Sequence, residues 1–347
     1  MISFARLLAR RIALLIGLLA TVFVVVDLLP GNTARAVLGR DATPERIAAK
    51  EHELGLDRPL PQRFWDWISG VSTGDFGHTA RGRSINELLA AKFPPTLLLG
   101  GLAVLLTVVV SLVLGVWWSA RPSVAPNGAV AEKIQADSTV GFGVGTGGRG
   151  EVVRERARTI RHGGMGLMRP VTTIAAAIPE FVVATLLILV FALAAGWLPA
   201  VTITGRSGFP ASPDMLVLPV LALAIPQIGW NTQVVRAAMV DAAQSPHVES
   251  AVLDGISTPA VLLRHVLPFA LPTIVASFAT TVGMVLGGSL VVETIFNYPG
   301  LGAVLAGSVA DRDVSVVASV VALSGAVIMC VLAVADGIRA WSLRGSG

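Results

Sequence analysis

Long, nearly uncharged apolar runs constrain this chain more than any other feature. Residues 96–120, 172–198, 215–239, 269–292 and 314–335 form five of them. At about 1.5 Å of rise per residue, each can carry a helix through about 30 Å of hydrocarbon. Lipid offers no partner to a backbone N–H or C=O, so each run must pair its own as a helix. The fold class that follows is an all-α polytopic membrane protein. Charged residues are 14% of the chain, against about a quarter in soluble domains, which excludes an ordinary globular enzyme. The single cysteine, Cys330, sits in an apolar run, so neither an internal disulfide framework nor a cysteine-based zinc site is available. His78, His162, His247 and His265 are scattered, and no HExxH or GxSxG pattern occurs. No metal site and no catalytic residue is expected.

A further run, 12–26, follows Arg6, Arg10 and Arg11. It ends in Asp27-Leu28-Leu29-Pro30 without a small-residue cleavage site, so 1–30 reads as a retained first span rather than a signal peptide. Residues 31–95 are polar and mixed in charge, the composition of a small extramembrane subdomain. Residues 96–120 are the second span. The stretch 121–169 holds eight Lys/Arg and a glycine-rich centre, Gly141 to Gly148. No strand leads into those glycines, so a nucleotide site is a weak reading and a flexible basic insertion the stronger one. Residues 170–347 carry the remaining four spans. Lys and Arg in short loops mark the cytoplasmic side, so excess basic charge here sets topology and implies no nucleic-acid partner. Six spans with both termini cytoplasmic put 31–95 outside and 240–268 inside.

The 240–268 loop is too polar for a span and is punctuated as two short helices. Ser245 can cap the first, with Pro246 at its first position. Gly255 is placed to end it in a left-handed conformation. Thr258 and Pro259 repeat that start for a second helix to about Leu267. Such a pair suits docking in a groove on a soluble partner. Glu249, Ser250, Ala251 and Gly255, then His265 and Pro268, resemble the EAA loop of ATP-binding-cassette importer permeases, with Ser250 in place of the first alanine. That resemblance implies coupling helices seated on an ATPase subunit.

Three further stretches resemble permeases of the dipeptide/oligopeptide class. Leu54-Gly55-Leu56-Asp57-Arg58-Pro59-Leu60, Gln62, Trp65, Trp67 and Gly74-Asp75-Phe76-Gly77 form the first. Trp197-Leu198-Pro199 is the second. Glu293-Thr294-Ile295-Phe296-Asn297-Tyr298-Pro299-Gly300-Leu301-Gly302, followed by Asp311-Arg312-Asp313, is the third. On their own chemistry, Trp65 and Trp67 suit a membrane interface, and the Gly-Asp step suits a turn. The resemblance covers nearly the whole chain except 121–169. It implies the type I importer fold, a second homologous permease subunit, two ATPase subunits and an extracytoplasmic substrate-binding protein. The implied cargo is di- or oligopeptides, with nickel or another small solute as alternatives. No GxxxxGK[ST] occurs, so ATP is expected on the partner subunits, with no cofactor in this chain. The 240–268 loop lacks an Arg-rich run, and Trp341-Ser342-Leu343-Arg344 stands where the class ends in D-P-R.

Polar residues inside spans are candidates for the translocation pathway. Glu180 follows Pro179 in the third span and either lines the pathway or reaches the cytoplasmic edge. Gln227 and Asn231 share a helix face, with Gln233 and Arg236 beyond, as pore lining or as helix–helix hydrogen bonding. Gly283 and Gly287 have the spacing of a close helix contact. A secondary transporter needs several intramembrane carboxylates or paired broken helices. An intramembrane enzyme needs a nucleophile–base pair, and none is evident in the spans.

Overall fold

A computed structural model describes residues 2–29, 31, 33–39, 42–119 and 168–344. Most of the basic insertion, 120–167, lies outside the described residues. Among those described, the only β contacts are isolated bridges, His78–Ser84 and Thr204–Pro210. The regular elements are helices: α1 Ile2–Asp27, α2 Thr33–Leu38, α3 Pro44–Glu53, α4 Leu60–Ser72, α5 Ile85–Ser119, α6 Met168–Ala177 and α7 Glu180–Leu187. After these come α8 Val217–Ala243, α9 Pro246–Leu253, α10 Thr258–Val261, α11 Leu267–Ile295, α12 Leu301–Asp311 and α13 Val314–Arg344. Five helices are long and apolar enough to cross a membrane, or six if the pair broken between α6 and α7 is one span. The all-α polytopic class stands.

Two boundaries differ from the sequence reading. The second span begins at Ile85, not 96, and takes Pro94 and Pro95 inside the helix. Ile85 and Leu89 are buried among Leu301, Val316 and Val320, and that burial outweighs the proline pair. The third span is broken. α6 stops at Ala177, and α7 starts at Glu180 and continues as a π-helix over Ile188–Ala194. Pro179 fixes its own φ and disfavours the helical conformation at Ile178, so the break falls there. α12 is an apolar helix for which the sequence reading names no element.

The chain forms two compact units: Met1–Ala103, Glu180–Leu223 and Val282–Val334 make the first, and Val104–Pro179, Ala224–Thr281 and Ala335–Gly347 the second. In the first, Leu19, Phe23 and Val26 of α1 share a face and pack with Trp67 of α4 and Val314, Val317 and Ala318 of α13. The Phe23 ring centroid lies 5.2 Å from both Phe64 and Trp67. Trp67 is therefore a core residue rather than an interfacial one, while Trp65 is 71% exposed. The Gly-Asp step forms the turn expected of it: Gly77 N–H donates to Asp75 Oδ1 at 2.8 Å.

A buried polar knot joins α5, α11 and α12. The N-terminus of α12 leaves backbone N–H groups without intrahelical partners. Leu301 N–H donates to Thr96 Oγ1 at 2.9 Å, and Gly302 N–H donates to Glu293 Oε2 at 2.6 Å. Glu293 is fully buried, within α11 rather than just past the fifth span. Tyr298 N–H donates to the Glu293 carbonyl at 2.8 Å, and Tyr298 Oη–H to the Pro95 carbonyl at 2.8 Å. Burial first, and then the Glu293 carboxyl, push the Tyr298 phenol well up, so it stays a donor. Thr202 N–H closes the other side on the Phe296 carbonyl at 2.8 Å. At the far end of α12, Asp313 occupies the cap position of α13: Oδ1 accepts Val316 N–H at 3.3 Å, and Oδ2 accepts Ala80 N–H at 2.6 Å. Arg81 pairs with Asp311 at 2.8 Å. The third motif is thus both ends of one helix.

The glycine spacing in α11 works differently from its reading. A Cβ at Gly283 would meet Ile328 at an ordinary 3.6 Å, and one at Gly287 would meet nothing within 4 Å. The close approach is at Gly288, where a Cβ would come within 2.9 Å of the Glu180 carboxyl. At Gly302 a Cβ would overlap the Leu290 carbonyl oxygen, a backbone atom with nowhere to go. Gly302→Ala is expected to lower stability by roughly 2 kcal/mol, the scale of an overpacked core. Gly287→Ala should stay within about 0.5 kcal/mol of wild type. Thermal unfolding in mild detergent checks this, and equal midpoints for the two variants would contradict the packing described.

Candidate functional site

The 240–268 loop lies in the second unit and is built on one apolar cluster. Val235, Ala238 and Met239 of α8 pack with Val248 and Ala251 of α9, with Val261, Leu262 and Val266, and with Ala270 and Ile274 of α11. α9 starts at Pro246 with Ser245 at the cap position, as read, but the hydroxyl does not cap: it donates back to the Ala242 carbonyl. α9 ends as expected. Gly255 has φ +76°, Gly255 N–H donates to the Val252 carbonyl at 3.1 Å, and Ile256 N–H donates to the Ala251 carbonyl at 3.2 Å. That pair of bonds is a Schellman close, which needs the left-handed residue only glycine adopts cheaply.

The second short helix is not a separate element. Its cap position is Ser257 rather than Thr258, and Pro259 falls just inside. It does not stop near Leu267: α10 passes through a π-turn, Leu262–Val266, directly into α11. Pro268 has no N–H, and its ring crowds the carbonyl four residues back. The widened turn, with Leu267 N–H bonded to the Leu262 carbonyl, lies immediately before it. Thr258–Ile295 is therefore one helical run of 38 residues.

The six loop residues singled out in the sequence separate by exposure. Glu249, Ser250, Gly255 and Pro268 are exposed, and Ser250 Oγ–H donates to the Pro246 carbonyl at 3.2 Å. Ala251 is buried in the cluster. His265 is half-buried, and its carbonyl accepts His247 Nε2–H at 3.1 Å. The His247 ring lies 4.1 Å from that of Phe269, so His247 braces α9 against the start of α11 through the His265 carbonyl and the Phe269 ring. The docking face expected from the sequence is apolar, and the structure names its residues: Leu253 is 81% exposed, with Val252 at 44% and Ile256 at 38%. Exposed Glu249 and Asp254 flank it. The legible signal was Leu253 itself, just before the turn and off the Val248–Ala251 face. An exposed leucine on a helix already buried on its other side suits protein docking.

The polar residues of the spans fall into separate arrangements. Asn231 is buried; its Nδ2 donates to the Gln227 carbonyl and to Thr281 Oγ1, both at 2.8 Å, and its Oδ1 accepts Ser277 Oγ–H at 2.7 Å. Both ends of the amide thus tie α8 to α11. Gln227 is 8% exposed, and Gln233 Nε2 stands 3.5 Å from Thr173 Oγ1. The Arg236 guanidinium lies over the Trp118 ring at 4.6 Å. Glu180 belongs to the first unit, half-buried against Gly288. Among the described residues, no three His, Cys, Asp or Glu are grouped to hold a metal ion.

Comparison with known proteins agrees along the chain. The family described as "Binding-protein-dependent transport system inner membrane component" matches residues 164–345, and the N-terminal family of such membrane components matches 1–94. The glutathione transport system permease protein GsiC of Salmonella typhimurium is 32% identical over 317 residues, covering 89% of each chain. The protein of that name in Escherichia coli K12 is 31% identical over 316 residues, covering 87% of each. A probable peptide ABC transporter permease protein, y4tP of Sinorhizobium fredii, is 28% identical over 320 residues, covering 90% of each.

Gly255→Ala keeps the cluster but forces a Cβ into the left-handed region, at a cost of about 1 kcal/mol. Amide hydrogen exchange over 246–256 is expected to quicken in that variant while the buried parts of α8 and α11 keep their protection. Unchanged exchange would show that the turn does not depend on glycine.

Proposed function

The chain belongs to the family of binding-protein-dependent transport system inner membrane components, and on that premise we propose that its 240–268 loop couples transport to ATP hydrolysed elsewhere. It is a membrane permease subunit of an ATP-binding-cassette importer, in the peptide/oligopeptide permease group, with the type I permease fold. The observation that carries the proposal is the outward apolar face of Val252 and Leu253 at the end of α9 and Ile256 just after its Gly255 turn, on a helix whose inner face is buried. That face seats in a groove of an ATPase subunit, with Glu249 and Asp254 supplying charge at the rim. Gly255 holds the turn that presents it, Ser250 lies beside Glu249 on the exposed side, and Ala251, His265 and Pro268 fix the loop to α11.

The mechanics follow from continuity. The loop enters α11 without a break, so a displacement of the docked face acts directly on the first turns of that helix. ATP binding draws the two ATPase subunits together, the loop moves with them, and the permease exchanges inward- and outward-open states. Nucleotide and cargo act only through their different affinities for those states. A second permease subunit completes the pathway. Glu180 in the first unit, and Gln227 and Gln233 in the second, are candidate lining residues, and Asn231 ties α8 to α11. An extracytoplasmic binding protein delivers cargo on the face of residues 31–95, and both termini are cytoplasmic. The names of the relatives support a short peptide, glutathione included, as cargo. ATP is the ligand of the partner subunits, and this chain carries no cofactor.

The importer purified through this chain from native membranes is expected to bring down an ATPase and a second permease. Leu253→Asp should lose the ATPase at least about tenfold, as removal of a central apolar contact does, and retain the second permease. Full retention of the ATPase by Leu253→Asp would refute the docking face. Absence of any ATPase from the wild-type sample would refute the coupling proposal as a whole.

A further inference from the structure

Glu180 and Glu293 are both acids of the first unit within apolar helices, and they are placed differently. Glu293 is fully buried, and its carboxyl accepts Gly302 N–H. Glu180 opens α7 after the Pro179 break and is half-buried. Among the described residues nothing pairs with it or donates to its carboxyl, and neither of its oxygens is sealed in protein. Its seat is a missing side chain. A Cβ at Gly288 would come within 2.9 Å of Oε1, 3.1 Å of Cδ and 3.2 Å of Cγ, so the end of the Glu180 side chain lies flat on the α11 backbone. Those atoms end a flexible chain, so a methyl group at 288 displaces the carboxyl rather than the helix. The neighbouring Gly287 is exposed, and a Cβ there would meet nothing within 4 Å.

An acid without a partner is costly in hydrocarbon and stable beside water. Glu180 and Gly288 both fall inside apolar runs, 172–198 and 269–292, so the open side of the carboxyl faces a wet path rather than lipid. A carboxylate in such a path selects for a cation. A divalent metal asks for several converging ligands, and among the described residues no three His, Cys, Asp or Glu converge. A peptide asks for one. Whatever its sequence, it brings a terminal ammonium with three N–H donors, charged at pH 7 because α-amino groups titrate at about 7.7–8.0. On the reading that this chain passes short peptides, we propose that Glu180 is a specificity residue whose carboxylate receives the terminal ammonium of the passing cargo. Gly288 is the positioning residue that holds it there. The contact lies in the permease, so it discriminates among cargoes that the binding protein has already released.

Uptake into proteoliposomes holding the whole importer, supplied with its binding protein, tests this. The cargoes are a tripeptide with a free terminal amine and the same tripeptide N-acetylated. Each is used at a concentration that saturates uptake, so that the maximal rate reports on the permease rather than on capture. Wild type is expected to take up the free-amine peptide at least about tenfold faster, the scale of one charge-assisted hydrogen bond. Glu180→Gln is expected to remove that preference by slowing the free-amine peptide alone. Gly288→Ala, which keeps the charge and moves it, is expected to narrow the preference as well. Loss of folding or assembly slows both cargoes together, so the ratio of the two rates is the readout. A ratio near one in the wild type, or one that Glu180→Gln leaves unchanged, overturns the inference and leaves peptide import standing. Failure of the wild type to take up either peptide refutes peptide import itself, and this inference with it.

Discussion

The carboxylate of Glu293 is the interaction on which the first unit depends. A helix that begins inside an apolar protein exposes backbone donors that water cannot reach. α12 begins in that way, and among the described residues Thr96 from α5 and Glu293 from α11 offer side-chain oxygens to its first turn. The positive end of the helix dipole makes a carboxyl group a favourable partner there. Gly300 and Gly302 follow from the same geometry, because a side chain at either would occupy the space that Glu293, Thr96 or the Leu290 carbonyl already fills. One buried acid thus explains why the stretch reads as it does: an acid at the end of a span, a tyrosine that pins the loop to Pro95, and glycines where the backbone must come close.

The sequence conveyed architecture well and junctions poorly, and the reason is physical. An apolar run announces a helix because lipid leaves the backbone no alternative, so the long helices were legible. Their ends depend on what they meet. Ile85 and Leu89 extend α5 past a proline pair because partners from α12 and α13 bury them, and no local signal carries that information. Trp67 and Trp65 look alike in sequence, yet one packs on Phe23 and the other faces outward. The same holds for Gly287 and Gly288, neighbours of which only the second has a side chain pressed on it. In the loop, Gly255 was readable because a left-handed turn is a property of one residue. Leu253 was legible only as a leucine before that turn; that it faces outward depends on the surroundings.

The coupling proposed for the 240–268 loop rests on a division of labour within a short stretch. The inward residues of α9 bind it to α8 and α11 and give it a fixed place. In the proposed docking, the outward residues meet the ATPase. His247 and His265 belong to the first group despite their polarity, since one ring nitrogen and one carbonyl satisfy each other. A loop braced in this way moves as a body when pulled. That is the property a lever needs and a flexible linker lacks.

The π-turn at Leu262–Val266 has a consequence for how this loop is aligned with others. A π-turn carries one residue more than the α-helical turn it replaces. Every position beyond it is rotated by about 100° relative to an uninterrupted count. Pro268 and the start of α11 therefore lie on a different side of the helix from the one that 3.6-residue periodicity, counted from Thr258, assigns to them. A homologue one residue shorter in this stretch would restore plain α-helical spacing and present the same letters to different neighbours. A one-residue gap here is thus a change of facing, and motif spacing across the loop is meaningful only when the widened turn is counted with it.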